Sequence, residues 1–310
     1  MDLDQRQLRN LLVIARTGSF SLAAKELMIS QPALSASIAQ LEARVGGRLF
    51  DRGRNGAAVT PLGSTLLRHA EIVDTQLRRA SEEMRLGRQQ ALGPLNLAIT
   101  PIASAYGLLR AVGQLKAEFP NAVINVKEMV FTDALAEVRR GSIDVCLGPL
   151  GVYAANEHVV EEQLSSDTFC LIARAGSRVL TGRKQSLRSL GDAQWVLPSD
   201  RSAYHHQLEA LFSVGGVPWP TQAIFTNSAV AIKTIVANSD CISIAPRQMI
   251  QLELKAGVLV QCDLIEAGMT RAFGFACSAD RPLMPLAQRF VDILREQSRA
   301  PVSPKPPKRC

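Results

Sequence analysis

The stretch that decides the reading is GSFSLAAKELMISQPALSASIAQLEARVGG, Gly18 to Gly47. Its first part, Ser19 or Ser21 onward, is a short amphipathic helix, with Leu22, Ala23 and Leu27 expected to face inward. A turn at Met28-Ile29-Ser30 follows. Ser30 then precedes Gln31-Pro32, where a hydroxyl caps a helix and proline takes the first turn without losing a needed hydrogen bond. The helix so opened repeats Leu34, Ile38, Leu41 and Val45 at one-face spacing, and Gly46-Gly47 ends it. Its other face is small and polar: Gln31, Ala33, Ser35, Ala36, Ser37 and Gln40.

Working outward, Leu8, Leu11, Leu12 and Ala15 place an earlier helix over about Asp4–Arg16, stopped by Gly18. Beyond the stretch, Arg48–Arg52 and Ala57–Thr60 bracket a turn with Gly53 and Gly56, the pattern of a two-stranded wing carrying Arg52 and Arg54. Thr60-Pro61 is a second cap-proline pair. The long helix it opens spaces Leu66, Val73 and Ala80 seven apart, and Ala70, Leu77 and Met84 likewise, which is a heptad seam expected to pair with a second copy.

A helix-turn-helix sets its second helix in the DNA major groove. Small residues near Ser30-Gln31-Pro32-Ala33 let the backbone approach base edges, Gln31 can hold adenine in bidentate fashion, and the wing arginines can neutralise phosphates. The same parts also fit a plain bundle of three amphipathic helices, and periodicity alone does not separate the two.

Gly93-Pro94 marks the next boundary. From there strands alternate with helices: strands at Leu95–Ile99, Ala122–Met129, Ile143–Leu147, Thr168–Ala173, Trp195–Leu197, Cys241–Ala245 and Ala272–Cys277. Helices are expected over Ser104–Phe119, Thr132–Arg140, Ser202–Val214, Ser228–Ala237 and Leu283–Gln297. Such alternation predicts parallel sheets, and about 200 residues of it predict two lobes. The expected division is 1–60, 61–92, 93–300 (lobes of 93–165 with 271–300, and 166–270), and a disordered Pro-rich basic tail, 301–310.

Composition narrows the function classes. With 47% hydrophobic and 20% charged residues, the 310-residue chain can bury sizeable cores. The net +7 is uneven: 13 Lys/Arg against 9 Asp/Glu in 1–92, balance over 93–300, and +3 in the tail. A basic first segment on a neutral body suits a polyanion bound at one end. No apolar run reaches membrane-span length and the N-terminus lacks a secretory pattern, so the expected location is the cytoplasm, without a membrane partner. Six scattered cysteines show no metal or redox spacing, and Cys310 is expected to be an incidental exposed thiol. Phosphate-loop, dinucleotide and nucleophile-elbow motifs are absent. His205-His206 beside Asp200 are neighbours on a helix and point about 100° apart, so they are read as solvated side chains. No cofactor, metal or catalytic residue is expected. A small-molecule-binding protein or an enzyme on the same α/β scaffold is the alternative function class.

Residues 18–27 with Ser30-Gln31-Pro32-Ala33-Leu34-Ser35, continued by Ile38, Leu41-Glu42, Leu49-Phe50, Arg52 and Thr60-Pro61 with Gly63, resemble the N-terminal motif of the LysR-type transcriptional regulators. The likeness covers the whole chain in length and element order and is motif-specific mainly over residues 1–65. The chain departs from the pattern at Ala36 and Ser37, where the family shows long polar residues, and at Asn55, where a second wing arginine is common.

The resemblance implies an α+β multidomain fold: a winged helix-turn-helix, a long linker helix, and a two-lobed effector domain related to periplasmic binding proteins. It implies double-stranded DNA as partner, a small-molecule effector, a homodimer through the linker helix and a homotetramer. Its DNA-facing residues are Ser21, Ser30, Gln31, Pro32, Ala33, Ser35, Ser37, Arg52 and Arg54. In the effector domain, ligands sit at strand carboxyl ends, which selects Thr100, Ile102 and Ser104. Residue-by-residue matching to the family adds Phe131, Pro149, Ser199, Arg201, Tyr204, Thr226, Asn227 and Pro246. Arg201 and the helix start at Ser104 are expected to clamp a carboxylate or sulfonate.

Overall fold

The computed structural model describes residues 3–53, 56–103, 109–151, 157–199, 203–266 and 270–299. The chain forms two compact units, the first of residues up to Gln89 together with Arg140–Ser142, the second of Gln90–Arg139 and the residues from Ile143 on.

The first unit runs α1 (Gln5–Thr17), α2 (Phe20–Leu27), α3 (Gln31–Val45), β1 (Phe50–Gly53), β2 (Gly56–Val59) and α4 (Pro61–Arg88). Each boundary has a local cause. Gly18 at φ 64° and Gly46 at φ 78° end α1 and α3 in the left-handed conformation. The Ser19, Ser30 and Thr60 hydroxyls accept from the amides of Leu22, Ala33 and Gly63, capping α2, α3 and α4. Leu11, Ile14, Ala23, Leu34, Ile38, Leu41, Leu49 and Phe50 form the core.

Two expectations change here. Leu22 is exposed, and Ala23 with Ala24 takes the inner face of α2, with Phe20 and Leu27 packed partly buried beside them. Leu66 and Ala70 do not belong to an open seam. The first turns of α4 complete the core of this unit and bury both, while Val73, Leu77 and Met84 stay exposed.

The second unit opens with β3 (Leu92–Ile99), α5 (Arg110–Glu118), β4 (Ala122–Glu128), α6 (Phe131–Arg140), β5 (Val145–Pro149), β6 (Val159–Asp167) and β7 (Phe169–Arg174). It continues with β8 (Lys184–Gln185), β9 (Val196–Leu197), α7 (Ala203–Val214), β10 (Ile224–Phe225), α8 (Ala229–Ala237) and β11 (Ser243–Pro246). The last elements are α9 (Gln251–Lys255), β12 (Leu259–Leu264), β13 (Arg271–Ser278) and α10 (Pro285–Arg299).

A five-stranded sheet of order β4-β3-β5-β13-β6 forms one lobe. A four-stranded sheet of order β11-β7-β12-β8, with the short pair β10-β9, forms the other. The parallel sheets expected from the alternation are mixed sheets. β3 runs parallel to β4 and β5, but β13 is antiparallel to both β5 and β6, and β7 is antiparallel to β11 and β12. The cause is connectivity: β6 leads out of the first lobe and β13 returns to it, so neither follows the strand-helix-strand rule.

Period-2 burial builds the first lobe. Leu95, Leu97, Ile99, Val145 and Leu147 meet Leu115, Phe290, Ile293 and Leu294 on one face. Ala98, Cys146 and Ala276 meet Phe131, Ala134 and Val138 on the other. Phe169–Ala173 is buried on both faces, as a central strand demands.

Candidate functional site

The exposed end of α3 carries the first set of candidates. Ser21, Ser30, Gln31, Pro32 and Ala33 are exposed, and Ser35 is half-buried one turn beyond Gln31. The Gln31 side-chain amide donates to the Ser35 hydroxyl at 3.0 Å, which holds it along the helix edge. Ser37 is different. Its hydroxyl accepts from Asn10 Nδ2 at 2.9 Å and its carbonyl from Gln7, so it faces α1 and not the open edge. At 240° around the helix from Gln31 and 60° from Leu34, position 37 borders the buried stripe by geometry alone. Glu42 fixes the helix to the wing: its Oε1 accepts from the amides of Leu49 (2.8 Å) and Phe50 (3.4 Å). Gly63 is required where α4 starts, since a Cβ there would meet the Leu49 carbonyl oxygen at 2.2 Å. Arg52 lies on β1; Arg54 lies outside the described residues.

The second unit contains a cavity of about 610 Å³ including its mouth. Its wall comes from the carboxyl ends of parallel strands and the helices that follow them. Thr100, Pro101 and Ile102 follow β3, Val130 and Phe131 open α6, and Pro149 ends β5. From the other lobe come Pro198 and Ser199 after β9, Tyr204 on α7, Thr226 and Asn227 after β10, and Ala229 and Ile232 on α8. The last lining residue is Arg271, which opens β13.

Several of these are held by backbone. The Thr100 hydroxyl accepts from Ala103 N at 3.3 Å, and the Thr226 hydroxyl accepts from Ser228 N at 3.1 Å. Tyr204 donates its phenolic hydrogen to the Ile244 carbonyl and stacks on Phe169, with ring centroids 5.7 Å apart. The Arg271 guanidinium lies over the same Phe169 ring, 4.8 Å from its centroid. Burial pushes the Tyr204 phenol well above its ordinary range, and the Arg271 charge pulls it partly back.

Arg271 is the residue that sequence reasoning missed. It is 6% exposed and is the charged side chain among the described lining residues. The available signal was a lone arginine opening an otherwise apolar strand at the crossover between lobes. Of the expected effector residues, Thr100, Ile102, Phe131, Pro149, Ser199, Tyr204, Thr226 and Asn227 meet at the cavity. Pro246 does not line it. It is buried where β11 ends, and it opens a 3-10 turn at Arg247–Ile250. Ser104 and Arg201 lie outside the described residues, as do Asp200 and the tail 301–310.

His205 and His206 do not diverge as expected. Their rings swing to centroids 5.5 Å apart, and Glu209 joins them one turn along α7. The described cysteines are free and buried. Burial pushes the Cys146 and Cys170 thiols up to about 12. No helix among the described residues is long and apolar enough to cross a membrane.

Comparison with known proteins decides what these two units are. The LysR substrate binding domain family matches residues 88–299, and the bacterial regulatory helix-turn-helix protein, lysR family, matches residues 5–64. The chain belongs to the LysR family. It is a DNA-binding transcriptional regulator with an effector-binding domain. The regulator GbpR of Azospirillum brasilense is 28% identical over 298 residues, covering 96% of this chain and 87% of its own. An SDS degradation transcriptional activation protein of a Pseudomonas species is 28% identical, covering 96% and 98%. These LysR-type relatives are named as regulators of transcription and not as enzymes. Among solved structures, the LysR regulator CbnR shares the fold with a TM-score of 0.65 at 17% identity, covering 96% of this chain and all of that one. Full-length CbnR complexed with its target DNA gives 0.64 at 18% identity, covering 95% and 99%.

Proposed function

We propose that this LysR regulator reads its operator with the Ser30–Ser35 end of α3 and answers to a small organic anion bound in the cavity, with Arg271 as the charged anchor. In this reading Gln31 contacts a base, while Ser21, Ser30, Pro32, Ala33 and Ser35 fit the backbone against the groove. Arg52 and Arg54 of the wing bind phosphates. Two copies pair along the α4 face that exposes Val73, Leu77 and Met84, and pairs of dimers form the tetramer, acting in the cytoplasm.

The observation that carries the effector class is the composition of the cavity wall. A 6%-exposed arginine stands among apolar side chains, hydroxyls and one amide. The amino ends of α6 and α8 reach the same wall through Phe131 and Ala229, and helix amino ends favour negative charge. A guanidinium in such a place suits a carboxylate or sulfonate bound through two parallel hydrogen bonds. The apolar remainder suits a compact hydrocarbon body.

The test is a thermal-shift screen of small carboxylates and sulfonates on the full-length protein. A ligand at 100 times its dissociation constant adds about 2.7 kcal/mol, or a rise of about 5–10 °C. Arg271→Met is expected to erase that rise and to leave DNA binding without effector intact. Stabilisation by neutral compounds alone, or an undiminished rise in the variant, refutes the reading.

A further inference from the structure

Helix α7 begins Ala203-Tyr204-His205-His206 and places Glu209 one turn further on. His205 Nε2 lies 3.8 Å from Glu209 Oε2, and His206 Nδ1 lies 3.8 Å from the same oxygen. One ligand atom from each of the three residues falls within 4.8 Å of the others. The side chains differ in freedom. His205 is 13% exposed, whereas His206 and Glu209 are 60% and 57% exposed.

The held ring matters most. His205 Nδ1 lies 3.2 Å from the Pro198 carbonyl, to which it donates, and the ring packs edge-on to Trp219 with centroids 4.7 Å apart. A neutral imidazole that donates through Nδ1 presents its lone pair at Nε2, toward Glu209. That is the outer-shell arrangement that fixes tautomer and orientation in metal-binding histidines. A tetrahedral ion with bonds of about 2.0–2.1 Å wants its ligand atoms about 3.4 Å apart. The two Glu209 distances, each 3.8 Å, exceed that by about 0.4 Å, and within the 4.8 Å envelope the remaining pair closes by up to about 1.4 Å, which rotation of the two exposed side chains supplies.

We propose that His205, His206 and Glu209 bind one divalent transition-metal ion, zinc or a neighbour of similar softness, with water completing its coordination. Two imidazole nitrogens and one carboxylate suit zinc, nickel, cobalt and copper, while calcium and magnesium call for oxygen donors. The site is independent of the effector reading, although Pro198 and Tyr204 belong to both neighbourhoods. The competing use of the same contacts is ion pairing between Glu209 and protonated histidines, which needs no metal and strengthens as pH falls. Metal binding does the reverse, because protons compete for the imidazoles.

The experiment is calorimetric titration of chelator-treated, untagged full-length protein with zinc chloride at pH 7.5 and pH 5.5, with cobalt absorption as a report of geometry. One equivalent per chain is expected at the higher pH, with marked weakening at the lower. His206→Ala and Glu209→Gln, both at exposed positions, are each expected to lose more than about 100-fold in affinity while melting as the parent does. Absence of saturable binding overturns the proposal. So does binding that survives in the double variant.

Discussion

Replacing Gln31 by alanine separates reading from folding. In the structure the side chain is exposed and makes one hydrogen bond, to the half-buried hydroxyl of Ser35. Alanine is a good helix former, so the change in stability is expected within about 0.5 kcal/mol. A bidentate contact to adenine is worth about 1–3 kcal/mol of discrimination, or about 5- to 150-fold for each recognition helix. Two half-sites double that free energy. Phosphate contacts are untouched, so affinity for shuffled duplex and its dependence on salt stay as they are. The assay is fluorescence anisotropy with the footprinted promoter fragment and a shuffled duplex over a salt series, after melting shows the variant folded. Ser35→Ala, which frees the glutamine amide, is expected to lose about 1 kcal/mol or less. If the operator-to-shuffled ratio is unchanged in Gln31→Ala, or if both affinities fall together, α3 does not read bases through this residue.

Three further outcomes follow from the second unit. A Cβ at Gly148 would meet the Phe131 ring at 2.7 and 2.8 Å and Thr100 Cγ2 at 3.0 Å, so Gly148→Ala is expected to cost about 1–3 kcal/mol and to weaken effector-induced stabilisation by pressing on the cavity wall; parallel melts with and without ligand measure both. The Glu162 carboxyl is held below its ordinary 4.5 by paired hydrogen bonds from Arg295 (2.8 and 2.6 Å), so its contribution is present above that value and is lost as pH falls through the lowered one. Both side chains are about a third exposed and solvent screens the pair, so Glu162→Gln is expected to cost about 0.5–1 kcal/mol at pH 7 and the difference to shrink below pH 4, as melting at both pH values will show. Finally, thiol titration of Cys310→Ser under native conditions should find no fast-reacting cysteine, because the five that remain, Cys241 included, are buried from the reagent, and burial also raises the Cys146, Cys170, Cys262 and Cys277 thiols; a rapid native reaction contradicts this.

What could be read from the chain was local. Ser30 with Pro32, Thr60 with Pro61, and the glycines at 18 and 46 each act within a few residues, and each is found at the boundary it was expected to make. The apolar run at Phe169–Ala173 announces a buried strand for the same reason. β6 escaped because it is an edge strand in which the consecutive Glu161 and Glu162 point to opposite faces, so both faces carry charge and no apolar-polar alternation shows. Sheet direction escaped because it depends on which lobe a strand returns to. Most of the cavity was legible, since strand ends and helix starts define it. Arg271 was not: it comes from the far end of the domain, and its neighbours Phe169 and Tyr204 lie 102 and 67 positions earlier. The histidine pair shows the limit of helical-wheel reasoning, which fixes where Cβ points and leaves the ring free to turn.

The Glu42 carboxylate has a consequence for how this regulator changes targets. By gripping two successive amides of the segment that enters the wing, it makes helix and hairpin a single tool with a preset pitch. Mutation at the tool's outer edge swaps the letters it recognises without altering the span it straddles. Lineages that keep this grip are therefore expected to drift in vocabulary and not in footprint.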